Sequence, residues 1–339
     1  MKICIFGAGA IGGYIGALLV RQGGADVSLV ARGAHLAAMK AKGLTLRMNG
    51  ETHVVHPRLA EDGASLGPQD YIILTIKAHG LPAIADTLAP LIGPDTAIVY
   101  GQNGLPWWYF YKHGGPYDGR TLDSVDPGGR IWKTLRPERA IGTVLWQAAE
   151  LEAPGVVVHA YGDRMPLAEP SGERTPRVTA LSAVLLKSGL KAPVRPNLRP
   201  EIWLKLWGNL SFNPVSLLTG ETLKGMAEDR GLRQIVGTMM EEAQTIAGAL
   251  GISFPVPAQE RIDMAARVGG HRTSMLQDFE AGRVTELDSL LGSVLELGQL
   301  VGIATPCLRM IYDLTAARIR TAGGVNFAHG REPNRATST

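Results

Sequence analysis

Cysteine is scarce in this chain of 339 residues, and there is little excess of one sign of charge over the other. The two cysteines, Cys4 and Cys307, lie far apart in apolar stretches. They supply neither a disulfide framework nor a metal-ligand spacing, a pattern typical of a reduced compartment. Because 34 Lys and Arg stand against 31 Asp and Glu, the net charge is only +3. This balance predicts no nucleic-acid surface and no membrane surface, so we expect a small-molecule partner.

The chain lacks an uncharged run longer than 18 residues, and the longest is interrupted by glycine. Ile3 to Val20 carries no charge, which gives it the length of a marginal membrane span or a signal peptide. Its glycines and the lack of a following cleavage site oppose both readings, so we expect a soluble, cytoplasmic protein. The chain is 45% hydrophobic and holds 42 glycines, well above the usual ~7%. Its length predicts two domains.

Strand and helix patterns alternate through the first part of the chain. An apolar run at Lys2–Phe6, a helical stretch at Ala10–Gln22 and an apolar run at Val27–Ala31 form a βαβ unit. Strands are predicted farther on at Tyr71–Ile76, Ala97–Tyr100, Ile141–Ala148 and Val156–Ala160, and helices at Leu81–Leu91 and Thr175–Ser188. Between these and the βαβ unit, Ala34–Lys42 is amphipathic and Leu44–Val55 alternates between apolar and polar residues. The alternation predicts an α/β fold, a doubly wound parallel sheet of the Rossmann type, over residues 1–196.

Helical periodicity replaces the strand patterns from about Arg199 onward. The predicted helices are Glu201–Leu210, Leu232–Leu250, Ala258–Arg267, Thr285–Val301 and Cys307–Arg320. We expect them to be separated at Asn213-Pro214, Phe254-Pro255 and Thr305-Pro306, among other breaks. The sequence therefore predicts an all-helical domain over residues 197–325, followed by a flexible polar tail at 326–339.

An insertion at about 105–139 interrupts the first domain. It holds seven of the chain's 20 aromatic residues, five of them consecutive at Trp107–Tyr111. Long loops are commonly functional, whereas aromatic side chains are commonly buried. The insertion therefore has three equally weighted interpretations: a lid that reshapes the substrate pocket, a dimer contact, or a satellite core.

A glycine motif follows the first predicted strand and opens the first predicted helix. The spacing Gly7-x-Gly9-x-x-Gly12 in this context is typical of a dinucleotide-binding turn. The cofactor-binding residues predicted here are Gly7, Ala8, Gly9, Ala10, Ile11 and Gly12. Arg32 follows the second strand where an acid would select NAD, so NADP is favoured, because an arginine suits a 2′-phosphate. The alternative is a solvated arginine in a turn.

Polar residues follow two later strands of the predicted sheet. Lys77 comes directly after Tyr71–Ile76, and Gln102-Asn103-Gly104 follows the next strand. Both positions lie at carboxyl ends of strands, where open α/β sheets bind ligands. Taken alone, a lysine after a strand is more often a surface residue, and Asn-Gly is a turn signal. Only the edge that they share with the glycine turn favours a ligand site.

A polar stripe marks the first helix of the second domain. Lys205, Asn209 and Asn213 recur every four residues in an otherwise apolar stretch, so they share one helix face. A lysine near apolar surfaces has a lowered pKa, which suits proton transfer. The alternative is a solvated face of an amphipathic helix. Farther on, Ser274 and Thr285-Glu286 offer hydroxyls and a carboxylate, although both hydroxyls could be simple helix N-caps.

Together these motifs resemble the ketopantoate reductases (2-dehydropantoate 2-reductases). The resemblance runs from Met1 to about Ala322 and rests on loose motifs that are jointly specific in order and spacing. The motifs are the glycine turn, Arg32, Thr75-Ile76-Lys77-Ala78, Gln102-Asn103-Gly104, the Lys205 stripe, and Ser274-Met275-Leu276-Gln277-Asp278 with Thr285-Glu286.

The resemblance implies a Rossmann-type NADP domain and a helical domain like that of 6-phosphogluconate dehydrogenase. It implies that NADPH delivers a hydride to the ketone carbon of 2-dehydropantoate, giving (R)-pantoate for pantothenate and coenzyme A biosynthesis. By the same resemblance Lys205 is the proton donor, and Glu286 is the second catalytic position. Substrate-binding positions are implied at Asn103, Lys205, Asn209, Asn213 and Ser274. Lys77 and Asn103 would line the nicotinamide side.

Two alternatives stay open for the function. The insertion could admit a different 2-keto acid to a related NADP-dependent dehydrogenase. The chain could also be a dinucleotide-sensing module without chemistry, although such a module has no need of a proton donor in a second domain. A homodimer is left open, and no metal is expected.

Overall fold

The computed structural model describes residues 1–323, so the tail predicted at 326–339 lies outside the described residues. The strands are β1 Lys2–Phe6, β2 Asp26–Val30, β3 Leu44–Met48, β4 Glu51–Val55, β5 Arg58–Ala60, β6 Gln69–Leu74, β7 Ile92–Tyr100, β8 Ala140–Thr143, β9 Ala148–Ala153, β10 Val156–Tyr161 and β11 Leu167–Ala168. The α-helices are α1 Ala10–Gln22, α2 Gly33–Lys42, α3 Leu81–Ile84, α4 Arg130–Leu135, α5 Pro176–Lys187, α6 Arg199–Thr219, α7 Leu223–Glu228, α8 Arg230–Ala249, α9 Ala258–Arg267, α10 Ser274–Glu280, α11 Ser293–Val301 and α12 Pro306–Thr321.

The chain divides into two compact units. The first contains Met1–Thr121 and Gly129–Leu198, and the second contains Leu122–Gly128 with the chain from Arg199 onward. The short segment Leu122–Gly128 therefore leaves the first unit within the aromatic insertion and belongs to the helical unit. There the amides of Asp123 and Ser124 donate to the two carboxylate oxygens of Glu296 on α11, at 2.7 and 2.8 Å.

A seven-stranded sheet forms the frame of the first unit. Its strand order is β11-β8-β7-β6-β1-β2-β5, and all neighbours pair in parallel except β11, which runs antiparallel to β8. The chain leaves β1 on one side to form β2 and later returns on the other side as β6. The carboxyl ends of β1 and β6 thus flank a topological switch point, where doubly wound sheets bind ligands. The Rossmann-type prediction is confirmed.

The uncharged stretch from Ile3 to Val20 becomes β1, a turn and the buried helix α1. This helix packs on the main sheet and also on a second, four-stranded sheet of order β4-β3-β10-β9. A Cβ at Gly16 would lie 2.5 Å from Leu29 of the main sheet, and one at Gly13 would lie 2.9 Å from Val157 of the small sheet. Glycine therefore lets the helix approach both sheets closely. Among residues 1–323, no helix has the length and apolar character needed to cross a membrane.

The second sheet is not foreseen by the sequence patterns. The alternating stretch Leu44–Val55 is a hairpin of β3 and β4, reversed at Asn49-Gly50 with positive φ angles of 51° and 78°. The single strand predicted at Ile141–Ala148 is wrong, because β8 ends at Thr143 and β9 begins at Ala148 in the other sheet. The helix predicted at Leu81–Leu91 has one α-helical turn and continues as a 3-10 helix containing Pro90.

Four of the seven aromatic side chains of the insertion are buried, and the other three are half-buried. Trp107, Trp108, Tyr109 and Phe110 are each 2% exposed or less. Gly142 in β8 makes room for them, since a Cβ there would lie 2.5 Å from the Trp108 ring. Of the three interpretations of the insertion, the satellite core is the one that this burial supports.

Helix α6 is the centre of the second unit and packs against α8, α10 and α12. From Arg199 to the end of the described chain there are helices and no strand, so the all-helical prediction is confirmed for these residues. The break predicted at Asn213-Pro214 is wrong, because α6 continues through Pro214 to Thr219. A proline costs a helix interior about 3 kcal/mol. Burial of Phe212, Val215 and Leu217, at about 1.5–3 kcal/mol each, offsets that cost.

Candidate active site

The glycine turn after β1 has the close packing that its sequence predicts. Gly7 has a φ of 101°, and a Cβ there would lie 2.5 Å from Ile76 Cγ2. A Cβ at Gly12 would collide with Thr75 Oγ1 and lie 2.5 Å from the Gly7 carbonyl oxygen. Both positions therefore require glycine for the turn itself, whether or not a ligand is bound.

Gly9 is different, because the space beside it is empty of protein. The nearest protein atom to a Cβ at Gly9 would be the Gly7 oxygen, 4.0 Å away. Gly9 is also the N-cap of α1, whose first amide N–H groups have no intrahelical acceptor. This open cradle at a helix N-terminus fits the pyrophosphate of a dinucleotide, so the residues present suit such a cofactor.

Arg32 lies at the carboxyl end of β2 and is the N-cap residue of α2. Its side chain is exposed, and it makes no hydrogen bond or ion pair within residues 1–323. The guanidinium is therefore available to an anionic group. Within the described residues it forms no hydrogen bond or ion pair with the residues that follow β6 and β7.

The loops after β1, β6 and β7 are joined by side-chain hydrogen bonds. Thr75 Oγ1 donates to the Gly7 oxygen at 2.8 Å, and Gln102 Nε2 donates to the Ile76 oxygen at 2.7 Å. These bonds hold exposed Lys77 and half-buried Asn103 on the edge that carries the glycine turn. The sequence indicated the shared edge, but it gave no signal for the linking role of Thr75 or Gln102.

Lys205 lies half-buried on α6, in the second unit. Burial lowers the pKa of its ammonium group to about 8, and the nearby Glu286 carboxylate opposes this by raising it. Glu286 itself is 5% exposed. The structure thus brings together two residues that are far apart in sequence, giving a lysine that can change protonation state near neutral pH.

The two asparagines predicted on the lysine face also belong to α6. Asn209 is half-buried, and Asn213 is buried with 6% of its surface exposed. Neither side-chain amide makes a hydrogen bond within the described part of the chain. An amide without a protein partner can hydrogen-bond a polar ligand, so this face is suited to one. With two of its three polar residues half-buried and the third buried, the face is not fully solvated.

Neither Ser274 nor Thr285 is a helix N-cap, so the N-cap interpretation is wrong for both residues. The N-cap of α10 is Thr273, whose side chain accepts from the Leu276 amide at 3.3 Å, while Ser274 is an exposed first-turn residue. Thr285 caps nothing: its Oγ1 is buried and has no hydrogen-bond partner among residues 1–323. Directly after Glu286, the chain forms a π-helix at Asp288–Gly292. Such turns are frequent at functional sites.

Neither unit holds a candidate metal site in its described residues, since no group of three or more His, Cys, Asp or Glu converges there. The candidate functional groups are a lysine, a carboxylate and amides in one unit, and the glycine turn in the other.

Comparisons with known proteins agree with these features. The ketopantoate reductase PanE/ApbA model matches residues 3–172, and its C-terminal counterpart matches residues 197–318. A 2-dehydropantoate 2-reductase of Mesorhizobium japonicum is 52% identical over 314 residues, covering 93% of this chain and 96% of the relative. A crystal structure from Ralstonia solanacearum MolK2, described as a ketopantoate reductase, is 38% identical with a TM-score of 0.89, covering 95% and 99% of the two chains.

A more distant solved structure shares the fold. D-mandelate dehydrogenase, in a ternary structure with NADH and anilino(oxo)acetate, superposes with a TM-score of 0.80 at 24% identity, covering 95% of this chain and all of the other. The two family models together span most of the chain, and the identity to the Mesorhizobium relative extends over nearly its full length. The chain belongs to the ketopantoate reductase family of oxidoreductases, which act on CH–OH groups.

Proposed function

We propose that this chain reduces 2-dehydropantoate to (R)-pantoate with NADPH, and that Lys205 is the general acid. The observation that carries the proposal is the electrostatic pairing of Lys205, half-buried on α6, with the buried Glu286. A lysine with a pKa of about 8 is mostly protonated at neutral pH and still able to give up its proton.

NADPH, when bound, supplies the hydride for the ketone carbon. As negative charge develops on the ketone oxygen, the Lys205 ammonium stabilises it and donates a proton to it. Glu286 keeps Lys205 protonated, because its negative charge raises the pKa that burial lowers. Since Lys205 is half-buried, its amine can regain a proton from water after each turnover.

The substrate carries a hydroxyl and a carboxylate in addition to the ketone. The unpaired amides of Asn209 and Asn213 offer donors and acceptors for these groups. Ser274 adds a hydroxyl at the start of α10, which packs against α6, and Asn103 adds an amide in the first unit. These four assignments follow the family resemblance and are part of the proposal.

Dinucleotide binding is proposed from the open cradle at Gly9, which accommodates a pyrophosphate. The preference for NADPH over NADH is proposed from the exposed guanidinium of Arg32, which suits a 2′-phosphate. The other proposed cofactor contacts are Gly7, Ala8, Ala10, Ile11, Gly12 and Lys77. We also propose that the enzyme acts in the cytoplasm and forms a homodimer, which light scattering tests.

One assay tests the proposal. Purified protein is mixed with NADPH and a panel of 2-keto acids that includes 2-dehydropantoate, and the loss of NADPH absorbance is followed. Turnover with 2-dehydropantoate is expected. Turnover with a different 2-keto acid and none with 2-dehydropantoate would mean that the substrate assignment is wrong and the reaction type is right. Tight NADPH binding without any turnover would favour the sensing module.

A further inference from the structure

Several buried polar atoms at the end of β8 have no partner. Gln147 is 7% exposed, and both its Oε1 and its Nε2 lack a hydrogen-bond partner among the described residues. Thr143, which ends β8, is 4% exposed, and its Oγ1 is equally unpaired within residues 1–323. Native proteins pair most buried polar atoms, because an unpaired buried atom has lost its hydrogen bonds to water and gained none in return. Thr143 and Gln147, four positions apart, form a cluster of such atoms along the chain, which indicates a place for a polar ligand.

This cluster lies on the edge of the sheet that carries the glycine turn. β8 runs parallel to β7, with Tyr100 opposite Gly142, so the residues after Thr143 emerge at the carboxyl ends of the strands. A Cβ at Gly101 would lie 3.1 Å from Leu145, which brings the two loops into contact. In the loop after β7, Gln102 has a buried Oε1 that finds no partner in the described chain, although its Nε2 is bonded.

Gln147 is also held near α1. Two residues farther on, Ala149 pairs with His159, whose ring stacks on Tyr14 of α1 with centroids 4.4 Å apart. The backbone at Gln147 is fixed by close packing, since a Cβ at Gly162 would collide with the Trp146 oxygen and lie 3.1 Å from Gln147 Cα. The Gln147 backbone therefore occupies a defined position in the segment that connects the end of β8 to the small sheet packed on α1.

We propose that the Gln147 side chain binds the carboxamide of the nicotinamide ring, with Thr143 and Gln102 Oε1 as supporting partners. A primary amide has one acceptor and two donor hydrogens, so two amides complement each other with a pair of hydrogen bonds. The strand order supports the assignment. Arg32 follows β2 on one side of β1, whereas β8 lies on the other side, beyond β6 and β7. A dinucleotide whose pyrophosphate sits at the turn extends its two ends to opposite sides.

The inference rests on the proposed dinucleotide site, and binding measurements test it without catalysis. The variant Gln147→Met keeps the side-chain length and removes the amide. By calorimetry we expect its Kd for NADPH to rise about tenfold. Its Kd for 2′-phospho-ADP-ribose, which lacks the nicotinamide, should equal that of the wild type. Gln22→Met, at an exposed position at the end of α1, is the matched control and should change neither Kd.

Two further readouts separate recognition from a structural role. The melting temperature of the ligand-free variant should be equal to or above that of the wild type, because an unpaired buried amide has been removed. The reduced 3-acetylpyridine analogue of NADPH has no carboxamide N–H. It should bind the wild type more weakly than NADPH does, and Gln147→Met should bind the two equally.

The outcomes are distinct. An unchanged Kd for NADPH in Gln147→Met overturns the inference alone. So does an equal rise in Kd for NADPH and 2′-phospho-ADP-ribose with a lower melting temperature, which would make Gln147 structural. A wild-type protein that binds neither ligand would overturn the dinucleotide site itself and with it the proposed function.

Discussion

The glycine turn of the first unit and the lysine site of the second are built in opposite ways. The turn uses consecutive residues, and its ligand groups are backbone amides exposed by the absence of side chains. The lysine site uses side chains from distant parts of the sequence, Lys205 on α6 and Glu286 before a π-helix, and its properties come from burial and charge. We therefore expect the turn to fail when volume is added and the lysine site to fail when charge is changed.

The largest effect is expected from removing the ammonium group of Lys205. Lys205→Met keeps the length of the side chain and abolishes proton donation. General acid catalysis typically raises the rate by about 10²–10⁴. We expect kcat to fall by that factor, while the Kd for NADPH stays within about twofold, because the cofactor turn belongs to the other unit. Steady-state kinetics and calorimetry give the two values. Lys224→Met, an exposed lysine of the same unit, should keep the wild-type rate. Full turnover in Lys205→Met would remove Lys205 from the mechanism.

The turn is tested by adding one methyl group at two positions. Gly9→Ala places its Cβ in open space, so the melting temperature should not change. The methyl group would block the pyrophosphate, and losing one or two hydrogen bonds to a charged group, at about 1.5 kcal/mol each, weakens NADPH binding by about 10–100-fold. Gly12→Ala meets Thr75 and the Gly7 oxygen instead, so it should destabilise the fold by about 1–3 kcal/mol. If both variants melted alike, the distinction between a packing glycine and a ligand glycine would be wrong.

A smaller effect is expected at Arg32, where a side chain serves the cofactor site. Arg32→Ala should weaken NADPH binding by about tenfold and leave NADH binding unchanged, since only NADPH carries the 2′-phosphate. Arg21→Ala, an exposed arginine at the end of α1, is the control for general loss of positive charge. If the binding of NADPH and of NADH weakened equally, Arg32 would be a solvated turn residue.

The same contrast explains how much could be predicted from the sequence. The parallel sheet and the glycine turn follow from local patterns, because strand, turn and helix are neighbours along the chain. The small sheet could not be predicted, since β3 pairs with β10 from more than a hundred residues away. Helix α6 passes through Pro214 because burial of its neighbours outweighs the cost of a proline inside a helix. That burial comes from tertiary packing, which a local sequence pattern does not contain.

The candidate site shows the same limit. The spacing of Lys205, Asn209 and Asn213 predicted a shared face, but only the family resemblance paired Lys205 with Glu286. Nothing in the sequence marked Gln147, which falls in a stretch predicted as one strand. Its unpaired amide becomes visible only when the positions of all neighbouring donors and acceptors are known.

The most subtle test concerns the sign of the charge effect between Glu286 and Lys205. Reduction requires protonated Lys205, so kcat/KM should be constant at low pH and fall as pH rises through a value near 8. Burial lowers the pKa of Lys205 and the Glu286 carboxylate raises it. Glu286→Gln removes the second contribution and keeps the shape of the side chain, so the falling limb of the pH profile should move to lower pH. The measurement is kcat/KM for reduction across pH 6–10 at saturating NADPH. A limb that stays in place would mean that Glu286 acts on the substrate and not on the lysine, and a limb that moves upward would contradict the electrostatic argument itself.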